Sequence, residues 1–281
     1  MEKQDILRNI RKENFAIPQI NINELTWIEP VLKAAETMNS PVILGTSDSL
    51  IPALGGYKFI CTTIKNKMIA MDITIPVIVH LDHSTSVENC KYAINAGYDS
   101  VMYDGSKLSI EKNVAYTKQV VDYAHKNNVL VEGEVGAVGG SEDGISGSVK
   151  YASLDDCIQL VTQTNLDSLA PALGSVHGEY KGEPDLGFEE MKEIDKKLNI
   201  PLVLHGASGI SNEDLMKAIK LGHVKINFNT EVKIAWAKQL RETLDNNKQL
   251  YDPQKIIVPS KIAIENIVKE LINKCNSFNR V

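Results

Sequence analysis

Val77-Ile-Val-His-Leu-Asp-His-Ser84 sets the reading of this chain, because an apolar run ends abruptly in His80, Asp82 and His83. Strand side chains alternate between faces, so His80 and Asp82 share one face while His83 stands just past the strand, where the backbone begins to turn. An apolar strand whose end carries imidazole and carboxylate can start a metal or acid–base site. Alone, the octet is equally a strand that ends in solvated polar residues, so its weight depends on what surrounds it.

On both sides the same unit repeats. Upstream, residues 15–20 read as a strand, with Asn23 as N-cap to a helix patterned on Leu25, Ile28, Val31, Leu32 and Ala35; residues 41–44 and 57–71 give the second pair. The strand at 76–82 leads to a helix at 86–95 stopped by Gly97. Downstream come strand 100–103 with helix 110–126, 129–134 with 153–164, 168–172 with 188–198, 201–205 with 212–221, and 224–228 with 230–244; a further helix at 260–274 ends the chain. Eight alternations with short connections predict an α/β fold: a single (β/α)8 TIM barrel over residues 1–281 with an additional C-terminal helix. An open doubly wound sheet needs fewer units, and no shift in composition separates two domains.

At 281 residues and 43% hydrophobic content the chain can bury a large core. A net charge of −6 and the lack of a Lys/Arg block argue against nucleic acid or a membrane surface as partner. Cys61, Cys90, Cys157 and Cys275 form no CxxC pair, so a zinc ribbon or disulfide framework is not indicated. The first residues lack the apolar core of a signal peptide, and no run approaches a membrane span. The expectation is a soluble cytoplasmic protein.

A barrel of this kind places its active site at the C-terminal ends of the strands. Strand three ends in Asp82 and His83, strand four in Asp104, strand five in Glu132 and Glu134, and strand seven in His205; the loop after strand six holds His177. Catalytic zinc commonly takes three protein ligands and favours imidazole, which makes His83, His177 and His205 a candidate trio. His80, deeper in its strand, is the second candidate, while His125 and His223 read as structural.

Gly206-Ala207-Ser208-Gly209 and Asn227-Phe228-Asn229-Thr230 follow strands seven and eight, the usual place for phosphate in such barrels. Backbone N–H groups and helix N-termini bind phosphate without lysine, so an acidic protein can still hold an anionic metabolite. The glycine-rich loop at 136–150 carries Glu142 and Asp143 and reads as a hinged lid bearing a carboxylate.

Five blocks in order, HLDHS at 80–84, EVGAVGGSED at 134–143, GSVHG at 174–178, LHGASG at 204–209 and INFNTE at 226–231, resemble the class II, zinc-dependent fructose-1,6-bisphosphate aldolases and the related tagatose-bisphosphate aldolases. The resemblance runs along nearly the whole chain. It implies that His83, His177 and His205 hold catalytic Zn2+, that Asp104 and Glu134 mark an alternative metal position, and that Asp82 exchanges a proton with the C4 oxygen. It further implies that Glu142 handles the proton on the dihydroxyacetone phosphate carbon. Gly178, Gly206, Ala207, Ser208, Asn227, Asn229 and Thr230 would bind that triose phosphate, with a monovalent cation (Na+ or K+) nearby. Lys233 matches a basic position that reaches a neighbouring subunit's site in some relatives, which implies a homodimer or homotetramer.

The implied activity is reversible cleavage of fructose 1,6-bisphosphate to two triose phosphates, the step of glycolysis and gluconeogenesis. Asn229 stands where many fructose-type enzymes have Asp, and residues 230–233 look closer to the tagatose type; residues 174–187 and Asp48 with Gly55 and Gly56 look closer to the fructose type. Tagatose 1,6-bisphosphate is therefore the alternative substrate, and a non-catalytic barrel that binds zinc and sugar phosphate is the rival from another class. Intact Asp82 and Glu142 disfavour the rival, since binding alone needs neither.

Overall fold

A computed structural model describes residues 6–142, 145–147, 150–178 and 184–281, with the backbone alone for 141, 142 and 145–147. Its elements run α1 (Ile6–Ile10), β1 (Ile17–Asn21), α2 (Ile28–Thr37), β2 (Val42–Ser47), α3 (Tyr57–Ala70), β3 (Val77–Ser84), α4 (Val87–Ala96), β4 (Ser100–Tyr103), α5 (Ile110–His125) and β5 (Leu130–Val135). They continue with β6 (Gly139–Glu142), β7 (Ile145–Gly147), α6 (Leu154–Thr164), β8 (Ser168–Pro171), β9 (Val176–His177), α7 (Phe188–Leu198) and β10 (Leu202–Leu204). The chain closes with α8 (Asn212–Lys220), β11 (His223–Phe228), α9 (Thr230–Asn246) and α10 (Pro253–Lys274).

Eight parallel strands close into a barrel in the order β1-β2-β3-β4-β5-β8-β10-β11, the predicted (β/α)8 fold. Residues of one parity, among them Ile20, Leu44, Val79, Leu81, Val131, Ile226 and Phe228, face outward into the core shared with the helices. The other parity builds the barrel interior in layers. The lowest layer is apolar: Ile17, Ile43, Ile78 and Leu130 pack with Phe15 and with Ile6, Leu7 and Ile10 of α1, which plugs the bottom. Two residues further along the strands stand Gln19, His80, Glu132 and Lys225, all buried. Two further still, at the rim, stand Asn21, Ser47, Asp82, Glu134 and the half-buried Asn227. The period-two rise of a strand thus turns strand sequence directly into barrel height.

One element is added and three local expectations change. The plug helix α1 precedes the first expected strand, where no element was assigned. Asn23 does not cap a helix: the Glu24 carboxylate accepts from the Thr26 N–H instead, leaving Asn23 to donate to Asn229 Oδ1 at 2.8 Å. Within 136–150, β6 and β7 pair antiparallel and β6 also pairs in parallel with β9, so this loop carries backbone ladder bonds. Finally, α10 starts at Pro253 rather than 260 and runs through Pro259. The backbone bond that Pro259 cannot donate would have gone to the exposed Lys255, where water can satisfy the carbonyl.

Candidate active site

The β3 strand delivers two adjacent residues to one site by breaking its own alternation. Its register against β4 shifts between Leu81 and Ser84, and His83 adopts a left-handed φ of 52°. Asp82 and His83 can therefore both face the barrel mouth, where a regular strand would send them to opposite sides.

His83, His177 and His205 come together at the rim: each offers a ligand atom, and these atoms lie within 4.8 Å of one another. The ring of His83 stands edge-on to both others, with centroids 5.1 Å from His177 and 4.7 Å from His205. A second group, His83 with Asp104 and Glu134, meets the same distance test, so the two predicted metal positions share His83. Two glycines make the approach of His177 feasible. A Cβ on Gly140 would sit 2.0 Å from the His177 carbonyl oxygen, and one on Gly206 would sit 2.4 Å from that of Val176. Both have positive φ, which glycine adopts without strain.

Hydrogen bonding fixes which ring nitrogens remain available. His205 Nε2 lies 2.9 Å from Glu132 Oε1; a carboxylate only accepts, so Nε2 carries the proton and Nδ1 keeps its lone pair. His205 Nδ1 makes no hydrogen bond, nor does Glu134 Oε2, 3.3 Å away. His83 Nδ1 bonds Asp104 Oδ2 at 3.1 Å, which leaves Nε2 as the ring nitrogen to take a ligand.

The electrostatics are those of a site built for a cation. Burial opposes charge on His83, yet the Asp82 carboxylate, the bond to Asp104 and nearby Glu134 push it up to about 10. For His177, burial compounded by His83 and His205 pushes the value down to about 3. Burial, then the Asp104 charge, raises Glu134. Imidazoles shifted in opposite directions, set among carboxylates and with two orphaned buried polar atoms, match the donor set of zinc or a similar divalent ion.

Asp82 is held as an ionised acceptor. Asn21 Nδ2 donates to its Oδ2 at 2.9 Å and Asn227 Nδ2 to its Oδ1 at 3.4 Å. Although burial opposes ionisation, His83, Lys225 and His205 keep the carboxyl far below the ordinary range. Asn21 is itself oriented: Gln19 Nε2 donates to its Oδ1 at 2.9 Å, so the Asn21 amide N–H groups turn to Ser47 Oγ and Asp82.

The expected phosphate residues lie on the same rim. Ala207, Ser208 and Asn229 are buried, and Gly178 and Gly206 have left-handed φ of 90° and 64°. At α8 the N-terminus is already occupied, because Ser211 caps it and Glu213 and Asp214 fill its first turn. α9 begins at Thr230, and Glu231 in its first turn pairs with Lys274 at 3.0 Å. Lys233 is half-buried on α9. Glu142 ends β6, and its side chain lies outside the described residues.

His80 is set apart from the trio. Its Nε2 accepts from Lys225 Nζ at 3.5 Å and its Nδ1 donates to Ser100 Oγ at 2.9 Å, so both nitrogens are occupied; burial, then Lys225, pushes it down to about 3. Lys225 itself was not singled out from the sequence. It is buried in β11, 2.6 Å from Glu132 Oε2. Its signal was present: a charged residue within an apolar strand, two positions before Asn227, is rarely buried without a partner.

A closed (β/α)8 barrel with imidazoles and carboxylates at its C-terminal rim defines a barrel enzyme with a candidate metal centre. Over residues 1–280 the chain matches the family "Fructose-bisphosphate aldolase class-II", and it belongs to that family: it is a class II aldolase, a lyase. It is 48% identical over 277 residues to the 6-phospho-5-dehydro-2-deoxy-D-gluconate aldolase of Bacillus subtilis, covering 99% of this chain and 96% of that one. It is 47% identical over 278 residues to the fructose-bisphosphate aldolase of Staphylococcus aureus, covering 99% and 97%. Among solved structures, the YdjI aldolase of Escherichia coli K12 superposes with a TM-score of 0.85 at 29% identity, covering 99% of this chain and 97% of that one. Among the described residues, no helix is long and apolar enough to cross a membrane.

Proposed function

We propose that residues 1–281 form one catalytic unit that reversibly cleaves fructose 1,6-bisphosphate to dihydroxyacetone phosphate and glyceraldehyde 3-phosphate. The observation that carries the reading is the convergence of His83, His177 and His205 beside a buried, ionised Asp82. In this reading the three imidazoles hold a divalent ion, most simply Zn2+, with Asp104 and Glu134 as its alternative position. When bound, that ion supplies Lewis-acid stabilisation of the charge that develops on the triose oxygens.

This chain's own groups do the rest. Asp82 takes the proton from the C4 hydroxyl, the C3–C4 bond breaks as the aldehyde forms, and the electron pair stays on the three-carbon fragment. Glu142 returns a proton to that carbon. Asn21 and Asn227 keep the Asp82 carboxylate aimed, since both donate to it. The backbone at Gly178 and 206–208, together with Asn227, Asn229 and Thr230 at the start of α9, binds the triose phosphate, with a monovalent cation beside it. No Schiff base is needed, and Lys225, committed to Glu132 and His80, is not placed to form one. Lys233 contacts the far phosphate of a neighbouring copy, which makes the working unit a homodimer or homotetramer.

A second reading is favoured by the Bacillus subtilis relative at 48% identity. In 6-phospho-5-dehydro-2-deoxy-D-gluconate the ketone is C5 and the phosphate is on C6, so aldol cleavage falls between C3 and C4. It releases the same triose phosphate and a three-carbon aldehyde ending in carboxylate. The two substrates therefore share the contacts proposed for the triose half and differ in the other half, where a CH2 and a carboxylate replace the C5 hydroxyl and C6 phosphate ester of the fructose substrate. Comparing kcat/KM for fructose 1,6-bisphosphate, tagatose 1,6-bisphosphate and this third sugar acid tests the reading. The fructose ester is expected to lead; a higher value for either rival would replace it, and no cleavage of any of them would remove the aldolase mechanism.

A further inference from the structure

We infer that Lys225 is a positioning residue for the metal centre, acting through Glu132 on His205. The inference rests on the reading of the rim imidazoles as metal ligands.

Five buried side chains form one directed chain. Ser100 Oγ lies 2.9 Å from His80 Nδ1, and a serine hydroxyl can accept there. His80 Nε2 then has the lone pair that accepts from Lys225 Nζ at 3.5 Å, since an ammonium can only donate. Lys225 also donates to Glu132 Oε2 at 2.6 Å. The other oxygen of Glu132 accepts from His205 Nε2 at 2.9 Å, and His205 Nδ1 is left without a hydrogen bond, 3.3 Å from Glu134. Each link dictates the next, and the last presents one ring nitrogen of His205 to the rim.

Stability alone does not explain such a chain. Lys225 and Glu132 are each 1% exposed, and apolar residues of similar volume generally serve a barrel interior as well as, or better than, a buried ion pair. The pair sits directly beneath a candidate ligand, and its geometry has a job there. With one oxygen held by Lys225, the Glu132 carboxylate cannot rotate away from His205, and with its charge matched it remains an acceptor. The His205 proton is thereby kept on Nε2. A carboxylate behind a metal-bound histidine is a general device for fixing its tautomer and orientation; here the carboxylate is itself fixed, from below, by a buried cation.

Binding of Co2+ to the metal-stripped full-length protein, followed by its visible absorption, tests this. K225M is expected to raise the Co2+ dissociation constant about 10- to 100-fold, the scale for partners that orient a ligand, and to shift the Co2+ spectrum. In an H205A background the same substitution should change the constant by less than about two-fold, because the residue it acts through is gone. E132Q keeps the shape of the side chain and should weaken Co2+ in the same direction, so it decides the matter if K225M does not fold. A lowered melting temperature with unchanged Co2+ affinity and spectrum would reduce Lys225 to a structural role and overturn the inference. So would an equal penalty with and without His205. Failure of the wild-type protein to bind Co2+, or binding that survives H83A, would overturn the metal-centre reading itself.

Discussion

His80 and His83 lie on the same strand, and the molecule treats them in opposite ways. Around His80 every polar atom meets a partner of the opposite kind: hydroxyl, imidazole, ammonium, carboxylate and the ring of His205 in sequence. Around His83 the account does not close. Glu134 Oε2 and His205 Nδ1 are buried without hydrogen bonds, three imidazoles crowd one another, and the cation beneath them, Lys225, is already engaged. A closed network holds a barrel layer together, whereas an open one directly above it calls for a ligand. The contrast between these two layers is what separates the site from its support.

Breaking the contrast at its ends gives the largest effect. His83→Ala is expected to lose bound metal and with it all measurable cleavage, while His80→Gln, whose amide can still accept from Lys225 and donate to Ser100, keeps its metal and gives up about 1–2 kcal/mol of stability. Metal analysis and urea unfolding of the two variants check this; equal metal loss in both would erase the distinction. Next in size is Asp82→Ala, which should lower kcat about 10²- to 10⁴-fold with metal content unchanged. An unaltered kcat would move the proton transfer to another group.

The effect furthest from the chemistry concerns a histidine remote from the rim. His223, at the start of β11, donates from Nδ1 to Ala218 O at 3.0 Å, and burial pushes it down to about 4. Its folded value lies below the ordinary 6.5, so the folded protein favours the neutral ring. The associated stability is complete above that ordinary value and is lost as pH falls toward 4, by at most about 3 kcal/mol. His223→Gln should flatten the urea midpoint between pH 7 and pH 4.5 relative to wild type; parallel curves would show that His223 does not carry this dependence.

Much of the rim was legible because a strand end is a change of residue type along the chain. Apolar runs stop at Asp82, Glu134 and His205, and a (β/α)8 barrel gathers such ends by topology. The layer beneath was harder to read. Gln19, His80, Glu132 and Lys225 are polar residues inside strands, and only the period of two shared by the strands shows that they form a floor. Asn21 was missed for the same reason. Its role appears only once β1 and β3 are seen across the mouth, where its amide meets Asp82. The ladder between β6 and β9 had no side-chain pattern at all, because backbone bonds carry it and two glycines permit the approach. Asn23 misled by type: a good N-cap residue by propensity, it is instead turned toward Asn229.

The central claim is that the upper layer, and not the lower, holds the metal. Anomalous diffraction at the zinc absorption edge from a crystal grown with Zn2+ tests it most directly. The account predicts one strong peak at the rim within about 2.0–2.1 Å of a nitrogen from each of His83, His177 and His205. A peak against His80 and Glu132, or no peak within reach of the three rim imidazoles, would contradict it.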